Sequence, residues 1–187
     1  MATTGATLTN PVTGQAITFR RTTADSGGDV LEVESRWRAG GGKEPPAHYH
    51  PRQAEHFEVL SGDLEVRLDG ERRTLRAGES LDVPAGTRHS MWNGSDAETS
   101  ARWATRPALQ TEAFFEAFWG LAQDGKVTKA GLPEPLQAAV LLREFKDEFR
   151  LARPPRLVQD LVFGSLAVIG RAAGRPRRYV SSASTSR

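Results

Sequence analysis

The chain has 187 residues, 38% of them hydrophobic, which suits one compact domain with a real apolar core. Lys and Arg (25) barely exceed Asp and Glu (23), and the formal charge of +2 forms no basic stripe, so no nucleic-acid partner is expected. The absence of cysteine removes disulfides and thiolate chemistry.

Residues 1–15 are rich in Thr, Gly and Pro and read as a flexible lead-in, within which Asn10-Pro11 and Thr13-Gly14 can form a turn. They show neither a basic n-region nor an apolar run, so a cytoplasmic location is the expectation. Residues 16–22 predict a first strand and residues 24–29 a loop. Residues 30–38 then alternate, with Leu31, Val33, Ser35 and Trp37 on one face and Glu32, Glu34, Arg36 and Arg38 on the other. Three consecutive glycines within residues 39–43 predict irregular chain.

That irregular stretch leads to His48 and His50, which an extended segment points to one side, and after a short break to Glu55. From residue 55 to 60 the period is two again. Glu55, Phe57 and Val59 share one face; His56, Glu58 and Leu60 share the other, which turns His56 away from Glu55 onto the outer sheet face. Residues 64–68 and 71–75 flank Asp69-Gly70, a two-residue hairpin signal. Short strands at 80–83 and 88–93, the second carrying His89, are separated by Pro84-Ala85-Gly86, and residues 98–106 close the β region. Many short strands with Gly and Pro between them predict a barrel or sandwich.

After Pro107 the period lengthens to that of helices, expected over 111–123, 136–151 and 157–173. The first is aromatic, with Phe114, Phe115, Phe118 and Trp119; the second carries the stripe Ala138, Leu141, Leu142, Phe145 and Phe149. The domain reading is a lead-in at 1–15, a barrel at 16–108, a helical extension at 109–174 packing on the barrel or on a partner subunit, and a basic, Ser-rich tail at 175–187.

His48, His50, Glu55 and His89 stand out, because three neutral imidazoles and a carboxylate are what a divalent transition metal accepts while leaving positions open. Inside a barrel, such a cluster without an ion would be a costly collection of buried polar groups. The sequence reads G-x5-H-x-H-x4-E-x6-G from Gly42 to Gly62 and G-x5-P-x-G-x2-H-x3-N from Gly78 to Asn93. This paired pattern resembles the signature of the cupin superfamily, with no position missing, over roughly residues 16–106. The resemblance implies a mainly β fold, the double-stranded β-helix (jelly-roll) barrel, here with C-terminal α-helices. It also implies that His48, His50, Glu55 and His89 bind one metal ion. Fe(II) is favoured, with Mn, Ni, Co, Cu or Zn as alternatives.

Strand parity nominates Trp37, Phe57, Val59, Leu81, Val83 and Met91 as an apolar pocket wall, which suits a small, partly apolar or aromatic substrate. The expectation is therefore a metal-dependent, dioxygenase-like enzyme resembling quercetin dioxygenases, with Glu55 doubling as a base. The alternatives are a non-redox isomerase or cyclase using the metal as a Lewis acid, and a non-catalytic ligand-binding or sensing domain. Asn93 is expected to satisfy a loop backbone. Cupins commonly pair, so a homodimer is expected by resemblance, and internal packing of the helices is favoured over membrane contact.

Overall fold

The computed structural model describes residues 2–40 and 42–181. The β region consists of β1 (Thr7–Asn10), β2 (Gln15–Arg21), β3 (Leu31–Trp37), β4 (His48–Tyr49), β5 (Ala54–Ser61), β6 (Asp63–Leu68), β7 (Glu71–Arg76), β8 (Ser80–Val83), β9 (His89–Trp92) and β10 (Thr99–Arg106). The helices are α1 (Thr111–Gln123), α2 (Pro135–Glu144) and α3 (Arg156–Ala172), with β11 (Arg150–Leu151) between the last two. Two antiparallel sheets face each other, ordered β1-β2-β3-β10-β5-β8 and β11-β4-β9-β6-β7. This is the jelly-roll arrangement with a helical C-terminal region.

The predicted alternation explains the sheets. Leu31, Val33 and Ser35 are buried on β3 while Arg36 lies outside, and Glu55, Phe57 and Val59 are buried on β5 while His56 and Glu58 keep exposure. The hairpin between β6 and β7 turns at Asp69 (φ 47°) and Gly70 (φ 98°), the left-handed pair that a two-residue turn requires. Gly62 serves a different need: a Cβ there would sit 2.4 Å from the Glu98 carbonyl oxygen.

Two apolar clusters result. In one, Phe57, Val59, Leu81 and Val83 from the first sheet meet Leu64, Val66 and Leu75 from the second. In the other, Leu8, Ile17, Phe19, Leu31 and Val33 pack with Phe114, Phe115, Leu121, Leu141 and Phe145 of the C-terminal region. Trp103 of β10 packs against both.

Three expectations are corrected. The lead-in at 1–15 is not featureless: Thr7–Asn10 pairs with β2, and the Asn10 side chain accepts from Val12 N (3.1 Å) and Thr13 N (3.3 Å) while donating to the Gly131 carbonyl (3.0 Å). The second helix stops at Glu144 rather than running to 151, because Arg150 and Leu151 pair as β11 with Tyr49 and His48. A tertiary ladder overrides the helical period there. Finally, Phe57, Val59, Leu81 and Val83 are sealed core rather than open pocket wall, since side chains of the opposing sheet meet them; only Trp37 and Met91 keep partial exposure beside that cluster. The end of the serine-rich tail, residues 182–187, lies outside the described residues.

Candidate metal centre

Each ligand-type side chain reaches the site from a different piece of backbone. His48 lies on β4, directly across from His89 on β9, and Glu55 enters from β5 in the facing sheet. His50 follows β4 just before the turn into β5. The chain between His50 and Glu55 is tied down by Gln53, whose Nε2 lies within hydrogen-bond distance of Pro107 O (2.8 Å), Ala108 O (3.0 Å) and Thr111 Oγ1 (2.7 Å). The approach to His48 is fixed by Glu44, which receives a two-pronged contact from Arg67 (2.8 and 3.0 Å) and a hydrogen bond from Ser90 Oγ (2.7 Å), beside His89.

One ring nitrogen from each of His48, His50 and His89 lies within 4.8 Å of the others. His50 and His89 are buried, and His48 keeps an exposed edge. All three Nδ1 atoms face backbone carbonyls: Pro46 for His48 (3.3 Å), Glu148 for His50 (2.6 Å) and Thr87 for His89 (3.0 Å). With the proton held on Nδ1, a neutral ring presents its Nε2 lone pair to the common centre, the tautomer that a metal site needs.

Glu55 joins this group from one side. Its Oε1 accepts from Trp103 Nε1 (2.9 Å) and lies 3.1 Å from His50 Nε2, while its Oε2 lies 2.9 Å from His89 Nε2. These imidazole contacts lack hydrogen-bond geometry, for His50 Nε2 and Glu55 Oε2 are both buried without a hydrogen-bond partner. Orphaned lone pairs of that kind are expensive in a dry interior. Three converging imidazole nitrogens, with a Glu55 oxygen beside two of them, are a donor set that fits a single divalent cation.

Electrostatics act on the four side chains in opposite directions. Burial opposes ionisation of Glu55, yet the neighbouring His50 and His89 outweigh it and hold the carboxyl far below its ordinary range. Burial likewise opposes charge on His50, but Glu55 and the Glu148 carbonyl raise it above the usual histidine value. His48 is pushed well below that value by burial first, and then by the charges of His89 and His50. The most exposed ligand is therefore neutral at pH 7, with its lone pair available.

Three contributors were not assigned to the site from the sequence. Trp103 is on the buried face of β10, opposite Phe57, and strand parity alone could have nominated it. Glu148 and Phe149 come from the turn between α2 and β11. The Phe149 ring stacks on His48 (centroids 4.7 Å, 23°) and is backed by Phe114 (5.2 Å, 23°). Nothing in the local sequence signals a contact across 98 residues, such as the one between His50 and Glu148. His56, by contrast, stands where parity places it, on the outer face with Asp82 Oδ1 2.7 Å from its Nδ1. Asn93 is buried and donates to the Arg38 and Ala97 carbonyls (3.1 and 2.6 Å), a loop-holding role.

Two facing antiparallel sheets holding a three-histidine cluster and a carboxylate define the class: a jelly-roll barrel with a metal-site donor set at its interior. Residues 36–105 match the family model described as "Cupin domain", which gives that segment its place in the cupin superfamily. It is 43% identical over 65 residues to quercetin 2,3-dioxygenase of Bacillus subtilis, a match covering 35% of this chain and 19% of that enzyme. It is 31% identical over 91 residues to an oxidoreductase of Arthrobotrys oligospora, covering 44% of this chain and 36% of that protein. The matched segments thus span well under half of these relatives. Among solved structures it is similar to KdgF from Halomonas sp., with 23% identity and a TM-score of 0.43 over 50% of this chain and 79% of that one.

Proposed function

We propose that this chain is a metal-dependent oxidoreductase that carries out dioxygenase-like oxidation of a small, partly apolar or aromatic metabolite. The observation that carries the reading is the convergence of His48, His50 and His89, with Glu55 against His50 and His89, each histidine aimed by a carbonyl at its far nitrogen. Similarity of the same segment to a quercetin dioxygenase and to an oxidoreductase supports oxidation over isomerisation. Held by the three Nε2 atoms and Glu55 Oε2, a divalent iron would supply Lewis acidity and redox capacity towards substrate and O2.

The remaining work falls to the chain's own side chains. The Trp103 N–H holds Glu55 Oε1 and leaves Oε2 turned to the common centre, and on loosening from an ion there Oε2 would hold a proton taken from a substrate hydroxyl. Phe149, between His48 and Phe114, shields the partly exposed imidazole from water and makes that approach apolar. A hydroxylated aromatic ring suits both features: its apolar part meets the aromatic approach and its hydroxyl reaches the carboxylate.

The test is elemental analysis of protein purified without chelators, beside the His48→Ala/His50→Ala variant, followed by O2 uptake with hydroxylated aromatics. Near-stoichiometric redox metal that is lost in the variant, with uptake that depends on it, is the expected result. Turnover that proceeds equally without O2, or that survives replacement of the metal by zinc, overturns the oxidative reading.

A further inference from the structure

The solvent side of α3 is more apolar than its packed side. Leu157, Val158, Leu161, Val162, Val168 and Ile169 are between 42 and 83% exposed. Their spacing puts them in one stripe, completed by Ser165 and Ala172, that carries no charge along 17 residues. The opposite face is committed to the fold. Gly170 lies so close to α2 that a Cβ would meet Val140 and the Leu136 carbonyl, and Gln159 donates to the Leu151 and Pro154 carbonyls (2.8 and 2.7 Å). The stripe therefore cannot turn inward without undoing the α2–α3 contact. Single exposed aliphatic residues are ordinary, but a contiguous run of this kind marks a surface that something covers.

The charges around the stripe discriminate among occupants. Arg153 and Arg156 stand at its N-terminal end, and Arg171, Arg175, Arg177 and Arg178 at or beyond its C-terminal end. The one acid on the helix, Asp160, is already engaged by the buried Arg150 at 2.9 Å, with Arg143 and Arg156 close by. Arg175 and Arg177 have loose contacts with Glu134 (3.4 Å) and Glu144 (3.9 Å), while Arg153 and Arg171 have no acidic partner among the described residues. Pairing with a second copy through this face opposes like charges in either sense: Arg156 meets Arg171 when the helices run antiparallel, and each meets itself when they run parallel. An anionic, apolar-centred surface complements both stripe and rim. The helix is about 25 Å long, and no helix among the described residues is long and apolar enough to cross a membrane.

We infer that α3 docks the protein on an anionic lipid surface, lying in the interfacial plane with Leu157, Leu161, Val168 and Ile169 sunk among the acyl chains and the flanking arginines among the headgroup phosphates. This replaces the expectation that packing on the barrel or on a partner subunit is favoured over membrane contact, since the structure leaves the stripe outward. It does not depend on the chemistry proposed for the barrel.

The full chain is tested by co-sedimentation with phosphatidylcholine vesicles made with and without phosphatidylglycerol, alongside sedimentation velocity of the free protein. Binding to the phosphatidylglycerol vesicles, weakened by salt, is expected. Leu157→Ser/Leu161→Ser abolishes it without changing the circular dichroism or the metal content, because both side chains are already in solvent. Arg153→Ala/Arg171→Ala lowers the partition coefficient by about fivefold for each arginine. Equal binding to vesicles without phosphatidylglycerol overturns the inference. So does absence of vesicle binding together with a dimer that Leu157→Ser/Leu161→Ser dissociates, which makes a second copy the occupant.

Discussion

Trp103 shows how much of the site rests on single atoms. Its indole N–H is the hydrogen bond that Glu55 Oε1 receives, and its ring packs on Phe57 and Phe115. Trp103→Phe keeps an aromatic body and deletes the donor, so about 1–3 kcal/mol of stability is lost in denaturant unfolding of the metal-free protein. Metal affinity falls by about 10- to 100-fold, as for other groups that orient a ligand. Unchanged affinity means that Glu55 is held by the imidazoles alone. Away from the site, Asp25 accepts from the Thr22 backbone N–H (3.0 Å) and from the Thr4 and Thr22 hydroxyls (2.7 and 2.8 Å), which lowers its pKa from 3.8 to about 2. A depressed carboxyl stabilises the fold above its unfolded value and loses that contribution as pH falls through the folded one. The stability gap between the parent and Asp25→Asn is therefore present at pH 5 and closes between pH 4 and 2; a thermal-midpoint gap that persists at pH 2 contradicts this assignment. At this scale the ligand set was legible because four residues of two types at fixed spacing carry it, whereas the carbonyls that aim the imidazoles have no residue identity to read.

Elements were legible in proportion to how local their causes are. Strand β3, the β6–β7 hairpin and α1 follow from alternation, from Asp69-Gly70 and from helical period, and they appear where expected. β11 does not, because the apolar spacing of Phe145 and Phe149 continues the helical pattern past Glu144 and only its pairing with β4 reveals the break. That break does the site a service: a helix continued to 151 would tie the Glu148 carbonyl into its own backbone ladder, away from His50. Phe149→Ala removes the ring between His48 and Phe114, and the half-buried position sets a loss of at most about 3 kcal/mol. The same change exposes His48, so metal exchange with a chelator accelerates; a rate equal to that of the parent excludes Phe149 as a cover. Gly170 tests the other end of the extension. Gly170→Val drives a side chain into Val140 and the Leu136 carbonyl, and about 1–3 kcal/mol of destabilisation is expected from the forced separation of α2 and α3.

For the whole molecule, the barrel and the helices share one apolar core, and they are expected to unfold together. The family model ends at residue 105, which suggests a separable barrel with an appendage. The packing contradicts that division at two places. Leu8, Ile17, Phe19, Leu31 and Val33 on the β side are buried by Phe114, Phe115, Leu121, Leu141 and Phe145, and His50 takes its Nδ1 acceptor from Glu148. A chain stopped after residue 108 exposes that apolar face and frees His50 to rotate, losing both the core contact and the ligand orientation. The expected product binds a hydrophobic dye, lacks a cooperative thermal transition and takes up no metal, while retaining β-type circular dichroism. A chain stopped after residue 155 keeps α1, α2, Phe149 and β11, so it retains metal binding with reduced stability, because it loses the α2–α3 contact, the polar ties of α3 and the Tyr179 and Ser181 hydrogen bonds to Asp124 but none of the groups around the histidines. A cooperative, metal-binding product from the shorter truncation breaks the argument, since it shows a barrel core that needs neither helix α1 nor the Glu148 turn.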